Sequence, residues 1–120
     1  TIMGVARKLR ESFPDVKIIA VEPAESPVMS GGEAGLHGIQ GIGDGSKFLV
    51  DLQQVDEIIT VSTDAAKQRT RKLIKENGML VGISSGANVF AAEKWIAENE
   101  FDGIVFTMLC DRGERYLSCM

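Results

Sequence analysis

Apolar residues at Ile2, Ala6, Leu9 and Phe13 recur at helical spacing and stop at Pro14, which predicts a helix from about Ile2 to Phe13. The run that follows, VKIIAVEP (Val16–Pro23), is nearly continuous in apolar residues and bounded by turn residues. That is the pattern of a strand covered on both faces, as in parallel sheets. A second such run, VDEIITVS (Val55–Ser62), leads into a helix that Asp64 is expected to cap and that Gly78 closes after Asn77. MLVGIS is a short apolar segment, after which Ser84 or Ser85 opens a helix to about Asn99. Ala87, Val89, Phe90, Ala91, Ala92, Trp95 and Ile96 make that helix apolar around most of its circumference, so it is expected to be largely buried. GIVFTML (Gly103–Leu109) has the composition of a third strand, and DRGERYLSCM reads as a turn and a short helix.

Strands alternating with helices define an α/β chain with a mainly parallel sheet and flanking helices. Three strands make a small sheet, and the buried-strand pattern asks for more neighbours than 120 residues supply. The length suits one compact domain. The connection SGGEAGLHGIQGIGDGS (Ser30–Ser46) has little periodicity, and loops of that length inside compact domains are usually functional or disordered.

A formal net charge of −4 argues against a nucleic-acid binder, because such binding rests on neutralising phosphates. The basic cluster Lys67, Arg69, Arg71, Lys72 and Lys75 falls on a predicted helix and reads as a solvated face. Two cysteines without a C-x-x-C pair, and a single histidine, do not make the usual structural zinc site. Cys110 and Cys119 read as free thiols of a reducing compartment, with the cytoplasm as the default. The first residues lack the apolar core of a signal peptide. Position 1 is threonine, not methionine, so the chain is expected to begin inside a longer protein.

Three chemistries compete for the segment GISSGAN (Gly82–Asn88). Gly82-Ile83-Ser84-Ser85-Gly86 fits the G-x-S-x-G elbow of serine hydrolases, but no histidine follows Ser84; the sole one, His37, lies upstream. A dinucleotide site would use Gly38, Gly41, Gly43 and Gly45 with Glu22, yet the fingerprint needs its glycines directly between strand and helix. The plainest account is a serine N-cap with small residues for close packing.

AVEPAESPV, IQGIG, VDEIITVS, GISSGAN and DRGERYLS occur in that order with suitable gaps. Together they resemble the C-terminal part of the cysteine synthase (O-acetylserine sulfhydrylase) family, which has a tryptophan-synthase-β-like pyridoxal-phosphate fold. The resemblance covers essentially the whole chain. It implies that residues 1–120 are the C-terminal part of the cofactor-binding domain. The N-terminal domain, with the Schiff-base lysine in its S-x-K-x-R stretch and the T-S-G-N-T substrate loop, has no counterpart here.

The resemblance also implies roles. Thr1 matches the last residue of the G-T-G-G-T loop that cradles the cofactor phosphate, and Gly41 and Gly43 match a segment running beside the cofactor. Ser84 matches the serine facing the pyridine nitrogen. Cys110 stands where the family usually has proline and would be a small buried thiol at a strand end, near the ring. Asp111 joins the ring-nitrogen network, and Arg115 and Tyr116 pack. The implied reaction makes cysteine from O-acetylserine and sulfide, in a homodimer able to dock serine acetyltransferase. Sister activities on the same fold are cystathionine β-synthase, O-phosphoserine sulfhydrylase and serine/threonine dehydratase. A non-catalytic interaction module is the alternative from another class. Without the lysine the chain alone is expected to be inactive.

Overall fold

The computed structural model describes all 120 residues. Helix α1 (Ile2–Ser12) begins at Thr1 and stops before Pro14, which cannot continue it. Two five-residue strands follow, β1 (Ile19–Pro23) and β2 (Glu57–Val61), separated by the long glycine-rich connection. They pair in parallel with Ile19 opposite Glu57 and Pro23 opposite Val61. Both are shorter than their apolar runs, because only the paired stretch holds ladder geometry. The connection is irregular except for single turns at Val28–Ser30 and Leu52–Gln54.

Helix α2 (Thr63–Asn77) is capped by Ser62, whose side chain accepts from the Ala65 N–H, and not by Asp64. Val61 is the last strand residue, so Ser62 is the one free to take extended geometry, and Asp64 falls inside the first turn. Gly78, at φ 67°, closes the helix as the sequence predicts. On the basic face of α2, Arg71, Lys72 and Lys75 are exposed, whereas Arg69 makes a two-pronged pair with Glu93 at 2.6 and 2.8 Å.

Helix α3 (Ile83–Asn99) has Gly82 at its N-cap and no side-chain cap, so neither Ser84 nor Ser85 opens it. Only its N-terminal half is buried; Val89, Phe90, Trp95 and Ile96 remain half-exposed. Gly86 lets α3 lie directly on α2. A Cβ there would stand 2.0 Å from Thr70 Oγ1 and 2.5 Å from the Ala66 carbonyl.

The third expected strand, Gly103–Leu109, does not form. All residues from 101 to 110 are exposed and no strand lies beside them to pair with. An apolar run becomes a strand only when a ladder partner satisfies its backbone. The chain closes with a helical turn at Gly113–Tyr116. The main core joins the loop residue Ile39 to Val61, Ala66, Ile83, Ala87, Ala91 and Tyr116, so loop, β2, both long helices and the C-terminal turn meet at one place. No helix is long and apolar enough to cross a membrane.

Candidate functional site

The first turn of α3 is built by two segments that meet edge to edge. Val81 bridges Arg112 in antiparallel fashion, the Gly82 N–H donates to the Asp111 carbonyl at 2.8 Å, and the Gly113 N–H donates to Leu80 at 3.0 Å. This apposition sets Asp111 against the start of α3. Asn88, one turn after Ser84, donates to the Met108 carbonyl at 3.0 Å and ties the exposed segment to the same helix.

Ser84 is 4% exposed and sits in the first turn of α3. Its hydroxyl caps nothing, which removes the plainest account of this serine. The N–H groups of Ile83 and Ser84 likewise have no acceptor within the chain. Free N–H groups and the positive end of the helix dipole make such a terminus attract an electron-rich atom. Ser85, by contrast, is fully sealed with an unpaired hydroxyl, next to the glycine that touches α2.

Asp111 receives a short hydrogen bond from the Tyr116 hydroxyl. That bond, then burial, then the charge of Asp111 push the Tyr116 phenol above its usual value. Tyr116 packs in the core as expected, whereas Arg115 is exposed and packs against nothing. Cys110 is exposed too, because the strand that would have buried it is absent. Its thiol lies 3.9 Å from Asn88 Nδ2, and Cys119 is equally free.

The glycine-rich loop reaches this end through Ile39 and Ile42, which pack with Ile83 and Tyr116. Gly41 and Gly43, at φ 94° and 67°, turn the backbone between and beyond them in a conformation that side chains disfavour. The structure therefore sets Asp111 and Cys110 against the first turns of α3, which carries Ser84, and packs Ile42 of the Gly41–Gly43 turn against the same core. Thr1 is an exposed residue at the start of α1 and shares no hydrogen bond or core contact with the others. Motif spacing alone does not mark the contacts of His37, the Tyr116–Asp111 bond or the Asn88 tie. Asn88 itself had a signal, since positions i and i+4 share a helix face.

An α/β chain with an uncapped, polar helix terminus beside a glycine turn is what the comparisons with known proteins place in a family. The chain belongs to the pyridoxal-phosphate dependent enzymes, whose family model matches residues 1–111. Its relatives include cysteine synthases. Cysteine synthase B of Campylobacter jejuni is 48% identical over 121 residues, covering 98% of this chain and 39% of that protein. Cysteine synthase of Staphylococcus aureus is 43% identical, covering 98% of this chain and 38% of that protein. Among solved structures, the cysteine synthase of Entamoeba histolytica matches with a TM-score of 0.91 at 45% identity, over 99% of this chain and 36% of that one. The chain thus spans less than two fifths of the length of the curated relatives it matches.

Proposed function

We propose that this chain forms the ring-nitrogen side of a pyridoxal-phosphate site in a cysteine synthase, which makes cysteine from O-acetylserine and sulfide. The observation that carries the reading is Ser84: a buried serine in the first turn of a long helix whose hydroxyl neither caps the helix nor pairs within the chain. The residues fit the cofactor. A pyridine nitrogen is one polar atom at the edge of an apolar ring, and here one unpaired hydroxyl belongs to a helix turn whose preceding residue, Ile83, lies in the apolar core that Ile42 packs against.

Pyridoxal phosphate, when bound, supplies the electron sink for chemistry at the α-carbon of an amino acid. Ser84 tunes that sink. A carboxylate in its place would hold a proton on the ring nitrogen, whereas a neutral hydroxyl leaves it unprotonated and the sink weaker, which suits loss of a β-leaving group. Asp111, one oxygen of which accepts from the Tyr116 hydroxyl, joins the ring-nitrogen network beside Ser84. Gly41 and Gly43 bring backbone close to the cofactor, Cys110 lines the ring pocket, and Thr1 contributes one edge of the phosphate cup.

The Schiff-base lysine, the substrate loop and the rest of the site belong to the N-terminal domain of a longer protein, in which residues 1–120 are the C-terminal part of the cofactor-binding domain. The coverage of the relatives supports this. A homodimer and a docked serine acetyltransferase follow from the same reading. Two unpaired thiols suit a reducing, cytoplasmic setting.

Visible absorbance of the longer protein tests the proposal. A cofactor band that moves to longer wavelength with O-acetylserine, together with no cysteine formed by residues 1–120 alone, is the expected result. A band that responds only to serine or phosphoserine shifts the assignment to a sister activity. A colourless protein, or turnover by residues 1–120 alone, overturns it.

A further inference from the structure

The single histidine of the chain has no part in the chemistry above, yet both of its ring nitrogens are engaged by one loop. The Ile39 N–H points at His37 Nδ1 at 3.1 Å, and His37 Nε2 lies 2.7 Å from the Gly43 carbonyl. An N–H needs an acceptor, so Nδ1 carries the lone pair. A carbonyl needs a donor, so Nε2 carries the proton. Only the neutral imidazole in this tautomer satisfies both partners.

The bonds close on a part of the loop with little slack. Ile39 is fully buried in the core with Ile83 and Tyr116, which fixes one end. Gly43 is in left-handed geometry, and a Cβ there would stand 2.6 Å from the Pro23 ring and 3.0 Å from His37 Nε2. The turn between, Gly41–Gly43, is therefore held by the core on one side and by the imidazole on the other. Protonation of Nδ1 would set an N–H against the Ile39 N–H and remove one of the two ties.

We propose that His37 is a positioning residue whose neutral form clips both ends of the Gly41–Gly43 turn and whose protonation breaks the tie to Ile39 while keeping the one to Gly43. What the turn serves, the cofactor, rests on the function proposed above. Charged groups around this loop come from three places. Glu25, after β1, accepts the Thr63 N–H at 2.7 Å and is close enough for His37 charge to act on it. Lys67 of α2 reaches over Gly38, whose N–H donates to Thr63 Oγ1 at 2.8 Å. Asp44 shares the shallow cleft that His37 lines.

Imidazole nitrogen shifts in the wild-type chain test the clip without any substitution, and they are expected to report the Nε2-protonated tautomer above pH 8. Protection of the Ile39 amide from hydrogen exchange, corrected for intrinsic rate, is expected to drop about tenfold on acidification, the size of one net hydrogen bond. In His37→Asn the side-chain oxygen can accept the same i+2 N–H as an Asx turn, so protection stays and its pH dependence disappears. His37→Ala loses it at every pH. An Nδ1-protonated tautomer, or Ile39 protection indifferent to pH, overturns the clip. Pyridoxal-phosphate affinity of the longer protein, followed over the same range, is expected to fall with the Ile39 step in the wild type and not in His37→Asn. If Ile39 responds while affinity does not, the clip stands and the assignment of Gly41–Gly43 to the cofactor is overturned.

Discussion

Tyr116 is the only tyrosine, so its ionisation is read directly from phenolate absorbance. The hydrogen bond to Asp111, reinforced by burial, favours the neutral phenol, and the midpoint is expected above about pH 10, the ordinary tyrosine value. The sign follows from the raised value in the fold. The interaction contributes fully below the unfolded value and is lost as pH rises through the folded one. Tyr116→Phe keeps the ring in the core and removes the donor, which is expected to cost about 1 kcal/mol in denaturant unfolding. Ser84 gives the opposite pattern. Its hydroxyl stabilises nothing within the chain, so Ser84→Ala should leave unfolding unchanged to within about 0.5 kcal/mol, whereas loss of a true N-cap costs about 1. In the longer protein the same change is expected to weaken pyridoxal-phosphate affinity about tenfold. A substitution that destabilised the chain and spared the cofactor would make Ser84 a packing residue.

Helices α2 and α3 form the firmest pair of elements, and their contact depends on one missing side chain. In Gly86→Ala the new methyl would meet not only Thr70 Oγ1 but the Ala66 carbonyl and the Thr70 backbone nitrogen, at 2.5 and 2.8 Å. Backbone cannot swing aside as a side chain does, so the helices must part. A loss of about 1–3 kcal/mol is expected, read from fluorescence of the single tryptophan, Trp95, on α3. In the Arg69–Glu93 pair the guanidinium is mostly covered and the carboxylate half in solvent, and Arg69→Ala is expected to cost about 1 kcal/mol. The three helices were legible because their stops are local: Pro14, Gly78 and the spacing of apolar residues need no tertiary information. The extent of the strands and the third strand were not, because a strand exists only with its neighbour. The site divides in the same way. Ser84 lies in a contiguous motif and could be singled out, while the Asp111–Tyr116 bond depends on how the C-terminal turn folds back. The contacts of His37 are local, spanning Ile39 and Gly43, but a lone histidine in a glycine-rich loop has no spacing that marks them.

At the scale of the whole molecule, the sheet has two strands and the segment after α3 has none beside it. A parallel pair normally sits inside a wider sheet covered on both faces. Here Ile104 is 96% exposed and Phe106 71%, with Val105, Met108 and Leu109 also open, and Leu36, Phe48 and Leu49 add to the apolar surface. Contiguous exposed apolar residues mark surfaces that bind something or aggregate. Residues 1–120 alone are therefore expected to bind an apolar dye and to self-associate with rising concentration in sedimentation. Replacing both Ile104 and Phe106 with aspartate should suppress the association without weakening the α2–α3 contact, since Asn88 ties the segment to α3 through the Met108 carbonyl and not through either of these side chains. In the longer protein the same double change should abolish folding, if the apolar run takes its place as a covered strand there. Amide exchange separates the alternatives. Protection across 104–109 that rises at least about a hundredfold from the isolated chain to the longer protein is the mark of a ladder formed with strands from outside these residues. Equal, fast exchange in both would leave the segment an open surface, and the apolar run would then need a partner other than its own chain.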